Sequence, residues 1–288
     1  MKKILSFVLF GDRERYWASL PCVLISNILV HSTFILRFYV HKQSVPEWVL
    51  QFLQETARIH SAVEIELIDA SCIGTELTLW RLKPLWEHNI DVVFCRDLDA
   101  MLTTDEVKSM YHFLALSQYV SHSIRSYVCH TVPFLAGLCG FRINETLNRI
   151  RSVFPTFDSL INKTAQLYPA GEWGCDQFIL RDFFTTPLAQ TVLDCPQRDA
   201  PISIGGYHPT VCLPNAYESV ELSAIQRTVL DFTSTLSGFA GNACIIRADK
   251  FYTLADLTKE EPITQTIKQI FLNDTNLRER YGIDPCLL

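Results

Sequence analysis

The chain has 288 residues, of which 48% are hydrophobic and 19% charged, and its formal net charge is −6. That length could hold one large α/β domain or two small ones, and it is enough for a sizeable core. The acidic balance gives no electrostatic reason to expect a polyanion such as DNA as a partner, although a local basic groove is compatible with it.

The start, MKKILSFVLFG, imitates a signal peptide, but DRERYW follows without a small-residue cleavage site, so a first buried strand is the expectation. Residues 4–10 read as that strand, ending at Gly11. A helix is expected from about Tyr16 to Leu29 and a second strand in FILRFYV from Phe34. Residues 20–40 are apolar, yet they hold Pro21, Ser26, Asn27, His31, Ser32 and Arg37, too much polarity for an easy membrane span. No membrane span is expected.

Val45, Trp48, Val49, Phe52, Leu53 and Ala57 repeat at helical spacing, with Pro46 suited to the first turn. In VEIELID, Val63, Ile65 and Leu67 alternate with Glu64 and Glu66, the period-two pattern of a half-buried strand. A helix near 75–88 carries WRLKPLW, and the strand IDVVFC follows it. Thr103 and Glu106 form a capping-box pattern for a helix to about Gln118. Four alternations of strand and helix predict an α/β fold with a mostly parallel central sheet and helices on both faces.

Beyond residue 119 the alternation loosens. PFLAGLCGFRI (133–143) reads as a strand broken by Gly137 and Gly140, with a helix from about Asn144. The loop YPAGEWGCDQ leads to a helix through FILRDFF and a strand in AQTVLDC. The remainder mixes Gly/Pro-rich loops, short strands and a terminal helix near 262–280. With no repeat, low-complexity tract or linker, a single domain over residues 1–288 is expected. The ten cysteines are scattered singly, with no Cys-x-x-Cys pair, and several sit in apolar runs. They read as free thiols in a reducing compartment, the cytoplasm.

The chemistry concentrates in DVVFCRDLDAML (91–102), a strand-like run ending on Asp97 and Asp99. Open α/β sheets place ligands at the carboxyl ends of their strands. There an acid-x-acid pair lets one carboxylate face a divalent cation while the other meets the ligand or a bound water. Oxygen donors suit Mg²⁺ or Mn²⁺, which commonly bridge to substrate phosphates. The ordinary alternative is a solvated turn.

Two enzyme classes use such a pair. DLDAML superficially resembles the DxDGTL motif of haloacid-dehalogenase-like phosphatases, whose first acid is a nucleophile. That motif sits on the first core strand, whereas here a long α/β stretch precedes it. Met101 stands where the phosphatase pattern has Thr or Val, and no later acidic pair completes a metal site.

The second resemblance is longer. SFVLFGDRERYW resembles the first strand and donor loop of GT-A-fold, nucleotide-sugar-dependent glycosyltransferases, and WRLKPLW with DVVFCRDLD resembles the stretch through their metal motif. A bacterial and large-virus group shares an Arg-Asp-x-Asp element, a His/Arg-containing segment, a Gly-rich strand and a Gly-x-Asp-Gln element. HSIRSYVCH, LAGLCGFR and GCDQFILRD stand for the last three, in that order, and the resemblance covers about residues 4–190. There are departures. Ser126, Tyr127 and Val128 replace the Asp-His-Pro often found in the His/Arg segment, and the glycine pair of the Gly-rich strand is reduced to Ala136-Gly137.

The resemblance implies a cytoplasmic, metal-dependent glycosyltransferase. Its nucleotide-binding, Rossmann-like half would span about residues 1–118 and its acceptor side about 119–288. A nucleoside diphosphate sugar is the implied donor, a UDP-sugar first among them, with Mn²⁺ or Mg²⁺ as cofactor. The acceptor stays open between a glycan, a protein and a modified nucleic-acid base.

Asp97 and Asp99 are the implied metal ligands, with Asp97 also meeting the donor. Phe10, Gly11, Tyr16 (or Trp17), Arg81 and Arg96 are the further donor-binding candidates. Asp176 and Gln177 are the catalytic candidates. In an inverting transfer Asp176 takes the acceptor proton; in a retaining one the pair positions the sugar. An N-cap is the plain alternative for Asp176. His122, Arg125 and His130 could touch acceptor or phosphate, and His208 could close over the donor as a third metal ligand. The other readings of the chain are the phosphatase-like enzyme and a non-catalytic nucleotide-binding module.

Overall fold

The computed structural model describes residues 2–11, 20–72, 74–125, 132–168, 174–188, 191–196, 210–212 and 214–237. The strands are β1 (Lys3–Leu9), β2 (Ile35–Val40), β3 (Val63–Leu67), β4 (Val92–Arg96), β5 (Ser121–Arg125), β6 (Leu138–Arg142), β7 (Val192–Pro196) and β8 (Thr210–Val211). They form one sheet in the order β3-β2-β1-β4-β6-β5-β7-β8. Every pairing is parallel except the two made by β6, which runs antiparallel to both β4 and β5. The expected mostly parallel α/β sheet is present.

Side chains alternate across the strands and feed two cores. Val92 and Phe94 of β4 join Phe7 and Phe38 on one face, and Val93 and Cys95 join Phe141 on the other. On the first face lie α1 (Leu20–Val30), α2 (Glu47–Ile59), α3 (Thr104–Ala115) and α8 (Ala224–Ser237). The second face is covered by the 3₁₀ segment Gly74–Trp86, α4 (Ile143–Arg151), α5 (Phe157–Leu167) and α6 (Cys175–Ile179). A π turn, Leu180–Phe184, continues α6 into α7 (Thr185–Leu188).

Two polar residues of the apolar stretch 20–40, Ser26 and Asn27, are accommodated locally. Ser26 Oγ and Asn27 Nδ2 both donate to the carbonyl of Val23, at 3.0 and 2.7 Å. A helix buried nearly all round is thereby compatible with two polar side chains. Among the described residues no helix is long and apolar enough to cross a membrane.

Several boundaries differ from the sequence expectation. The start of the first helix expected near Tyr16 lies outside the described residues, and the helix is present from Leu20. Pro46 is the N-cap of α2, with extended backbone (φ −58°, ψ 141°), and not part of its first turn. The segment near 75–88 is 3₁₀ in place of α-helix, with Pro84 inside it; proline removes a donor from the hydrogen-bond ladder there. Only half of the capping box forms: Thr103 accepts from the Glu106 N–H at 3.2 Å, but the Glu106 side chain turns to Arg96.

Strand β5 falls within SHSIR, a segment whose polarity gave no strand pattern. The terminal helix expected near 262–280 lies outside the described residues. The seven cysteines among the described residues are free thiols.

Candidate active site

Strand β4 is buried along its length and delivers Asp97 to the carboxyl edge of the sheet. The 3₁₀ segment packs against β1 and β4 through Leu79, Leu82 and Leu85, which seat Arg81 beside that edge. Arg81 is the centre of the arrangement. Its Nε donates to the Thr78 carbonyl (3.1 Å) and its Nη1 to Asp97 Oδ1 (2.5 Å), while Nη2 lies 3.7 Å from Asp176 Oδ2. Two acids far apart in the chain therefore share one guanidinium.

Their environments differ. The Asp97 side chain is 40% exposed and that of Asp176 8%. Burial pushes the Asp176 carboxyl above the ordinary aspartate range; Arg81 opposes this and the Asp97 charge adds to it. For Arg81 burial disfavours the charge, but Asp97 and Asp176 outweigh it and hold the guanidinium above its usual value. Asp99 follows on the turn after β4 and is buried.

Asp176 is in the first turn of α6, and its Oδ1 accepts from the Gln177 N–H at 2.9 Å. Gly174, at φ 83°, is the N-cap, so the N-cap alternative for Asp176 does not describe its place. Gln177 Oε1 accepts from the Ala136 N–H at 3.1 Å, and its Nε2 donates to the Phe134 carbonyl. α6 is thereby tied to the chain just ahead of β6.

That chain meets Asp97 directly. The β4–β6 register ends with Arg96 facing Leu138, and Asp97 and Gly137 are the next residues outward along the two segments. A Cβ on residue 137 would lie 2.0 Å from Asp97 Oδ2 and 2.3 Å from its Cγ. Gly137 was visible in the sequence as a strand breaker and as the remnant of a glycine pair. The signal that could have found its role is a glycine one residue ahead of a strand that pairs with the metal-motif strand.

Phe10 and Gly11 follow β1, the parallel neighbour of β4, and so reach the same edge. Phe10 packs against the cluster of Val8, Tyr39, Ile68 and Leu77. Gly11 has φ 86° and donates its N–H to Ser44 Oγ at 2.9 Å.

Three candidates take other roles. Arg96 is buried and bonds Glu106 through Nε (2.6 Å) and Nη2 (2.9 Å), so it anchors α3 instead of facing a phosphate. Arg125 is equally buried, with Nε and Nη2 on the two oxygens of Asp194 at 2.9 and 2.5 Å. Its guanidinium is held by that acid of the neighbouring strand β7.

His122 is a core residue, stacked on Phe113 at 5.2 Å and edge-on to Phe94 at 5.8 Å. Burial lowers it to about 3, and neither ring nitrogen has a hydrogen-bond partner among the described residues. It is a neutral ring in an aromatic stack. Tyr16, Trp17, His130 and His208 lie outside the described residues.

Asp97 and Asp99 offer hard oxygen donors, which suit Mn²⁺ or Mg²⁺. Among the described residues no three His, Cys, Asp or Glu side chains gather into a metal cluster. Two carboxylates alone would leave a bound cation to take its remaining ligands from phosphates and water, a common mode for Mg²⁺-type sites.

No protein-family model matches the chain, and no curated protein matches it. Among solved structures it is similar to a glycosyltransferase involved in the glycosylation of the major capsid of PBCV-1, at 9% identity and a TM-score of 0.39. That match covers 69% of this chain and 82% of the other. It is also similar to a mannosyltransferase from Pyrobaculum calidifontis in complex with GDP-Man and Mn²⁺, at 10% identity and a TM-score of 0.39, covering 98% of this chain and 73% of the other.

Proposed function

We propose that the protein is a GT-A-like glycosyltransferase that moves a hexosyl or pentosyl group from a nucleoside diphosphate sugar to an acceptor hydroxyl. The observation that supports this best is the Arg81 bridge. It gathers an acid of the Asp-x-Asp motif and an acid of the Gly-x-Asp-Gln element at the carboxyl edge of an α/β sheet. A solvated turn has no reason to collect a distant, buried second acid.

In this reading Asp97 and Asp99 hold Mn²⁺ or Mg²⁺. When bound, the cation neutralises charge on the departing diphosphate. Phe10 and Gly11 line the approach of the donor from the end of β1. Arg81 keeps Asp97 and Asp176 oriented and balances their charge. Asp176, raised by burial, accepts the proton of the acceptor hydroxyl as its oxygen attacks the anomeric carbon.

The test is incubation with a panel of UDP- and GDP-sugars labelled in the glycosyl group, with Mn²⁺ and without it. Slow, metal-dependent release of free sugar and nucleoside diphosphate is expected, and an acceptor screen would convert it to transfer. Release of inorganic phosphate from monoesters, with every nucleotide sugar left intact, would replace this reading by the phosphatase one.

A further inference from the structure

The Asp97 carboxylate occupies space that a side chain at residue 137 would need. All three of its outer atoms lie close to the place of a Cβ there, Oδ2 at 2.0 Å, Cγ at 2.3 Å and Oδ1 at 2.8 Å. Gly137 is not among the described glycines with positive φ. Its lack of a side chain therefore serves close approach and not backbone conformation.

The stretch that presents Gly137 precedes β6 and has no ladder of its own. Side chains and one backbone bond hold it. Ser123 Oγ donates to the Pro133 carbonyl at 2.6 Å, and the Leu138 N–H reaches the Leu135 carbonyl at 2.9 Å. Gln177 grips it at two points, the Phe134 carbonyl and the Ala136 N–H. The residue that does this is the chain neighbour of Asp176.

We propose that Gln177 and Gly137 are positioning residues for Asp97. Gln177 fixes the 134–136 stretch, the stretch presents a glycine as a flat seat, and the seat leaves Asp97 the orientation in which Oδ1 meets Arg81. Gln177 acts through the backbone and Asp97, not on the sugar. Adjacent residues of α6 thus serve the site in different ways: Asp176 reaches Arg81 itself, and Gln177 sets the acid on the guanidinium's other side. The consequence for ligand binding rests on the function proposed above.

Gly137→Ala is a fair test because the clash falls on a half-exposed side chain that can swing away, so the fold is retained. Its crystal structure should show Asp97 rotated off Arg81 Nη1. Affinity for Mn²⁺ with UDP, and for Mn²⁺ with GDP, should fall about tenfold in Gly137→Ala and in Gln177→Ala relative to the wild-type protein. In an Asp97→Ala background the same two substitutions should change affinity by less than about twofold, because their effect passes through that carboxylate.

Losses of equal size in both backgrounds would overturn the proposal. So would a Gly137→Ala crystal structure in which the Arg81–Asp97 bond persists. Failure of the wild-type protein to bind either probe would sink the site reading instead, and the crystal structure would still decide the positioning claim. If Gly137→Ala does not fold, Gln177→Ala, which introduces no clash, decides the proposal by the same two comparisons.

Discussion

Arg96 and Glu106 are joined by two hydrogen bonds with both side chains 1% exposed. The arginine next to the Asp-x-Asp acids thus faces inward, pinning the first turn of α3 to the end of β4. Burial pushes the Glu106 carboxyl up, against the pull of Arg96, so the pair is strained between desolvation and attraction. Glu106→Ala should lower stability by about 3–5 kcal/mol by leaving a buried guanidinium uncompensated. Glu106→Gln should cost less. Equilibrium urea unfolding measures both, and a loss below about 1 kcal/mol in Glu106→Ala would contradict the assignment.

Asp99→Asn keeps the shape of the side chain and removes its charge. Metal-dependent release of sugar from a nucleotide sugar should fall on the order of a hundredfold in a chain that still folds. Full activity with the wild-type Mn²⁺ dependence would remove Asp99 from the metal site.

The Arg81 bridge carries a pH signature. A base whose pKa lies above the usual aspartate value loses activity as pH falls through that raised value. Arg81 holds the Asp176 carboxyl down, so Arg81→Met should move the acid limb of kcat/KM to higher pH. Asp176→Asn should remove the limb along with most of the turnover, while nucleotide binding changes far less. An acid limb in the same place in Arg81→Met would show that another group is titrating.

His122 predicts acid sensitivity of the fold. Its folded pKa is lowered to about 3, below the unfolded value near 6.5. The stability it confers is complete above 6.5 and is lost as pH falls from there towards 3, because the unfolded chain takes up the proton first. His31, buried and lowered to about 3 as well, acts in the same direction. His122→Phe should preserve the aromatic stack and flatten the pH dependence of unfolding over that window, by on the order of a few kcal/mol at its acid end. An unchanged slope would mean that the histidine is not neutral in the fold.

The N-terminal alternation was legible because β1 to β4 obey simple patterns. Val63–Leu67 alternates in sequence, although Leu67 at its end is exposed and not buried as the alternation implied, and Lys3–Leu9 and Val92–Arg96 are nearly continuous apolar runs. β5 was not legible. Four of its five residues are polar, and each is buried: Ser123 bonds a distant carbonyl, Arg125 meets Asp194, and His122 packs between rings.

The same cause misdirected the site reading. Polar residues near strand ends point to a ligand only when no partner elsewhere in the chain claims them. Arg96 and Arg125 are claimed by Glu106 and Asp194, contacts that spacing along the chain does not reveal. Arg81, Asp97 and Asp176 were legible as types and positions, but their sharing of one guanidinium belongs to the packing of the 3₁₀ segment against β4.

Strand β6 runs against both of its neighbours, so it enters the sheet at the rim where β4 leaves it. A parallel strand in that slot would begin at the opposite rim and carry Gly137 away from Asp97. The reversal also sets the residues proposed for the site on either side of the β4–β6 seam, Asp97 and Asp99 on one and Gly137 with the α6 residues on the other. On the proposed function, ligand affinity should fall in any variant that loosens this seam.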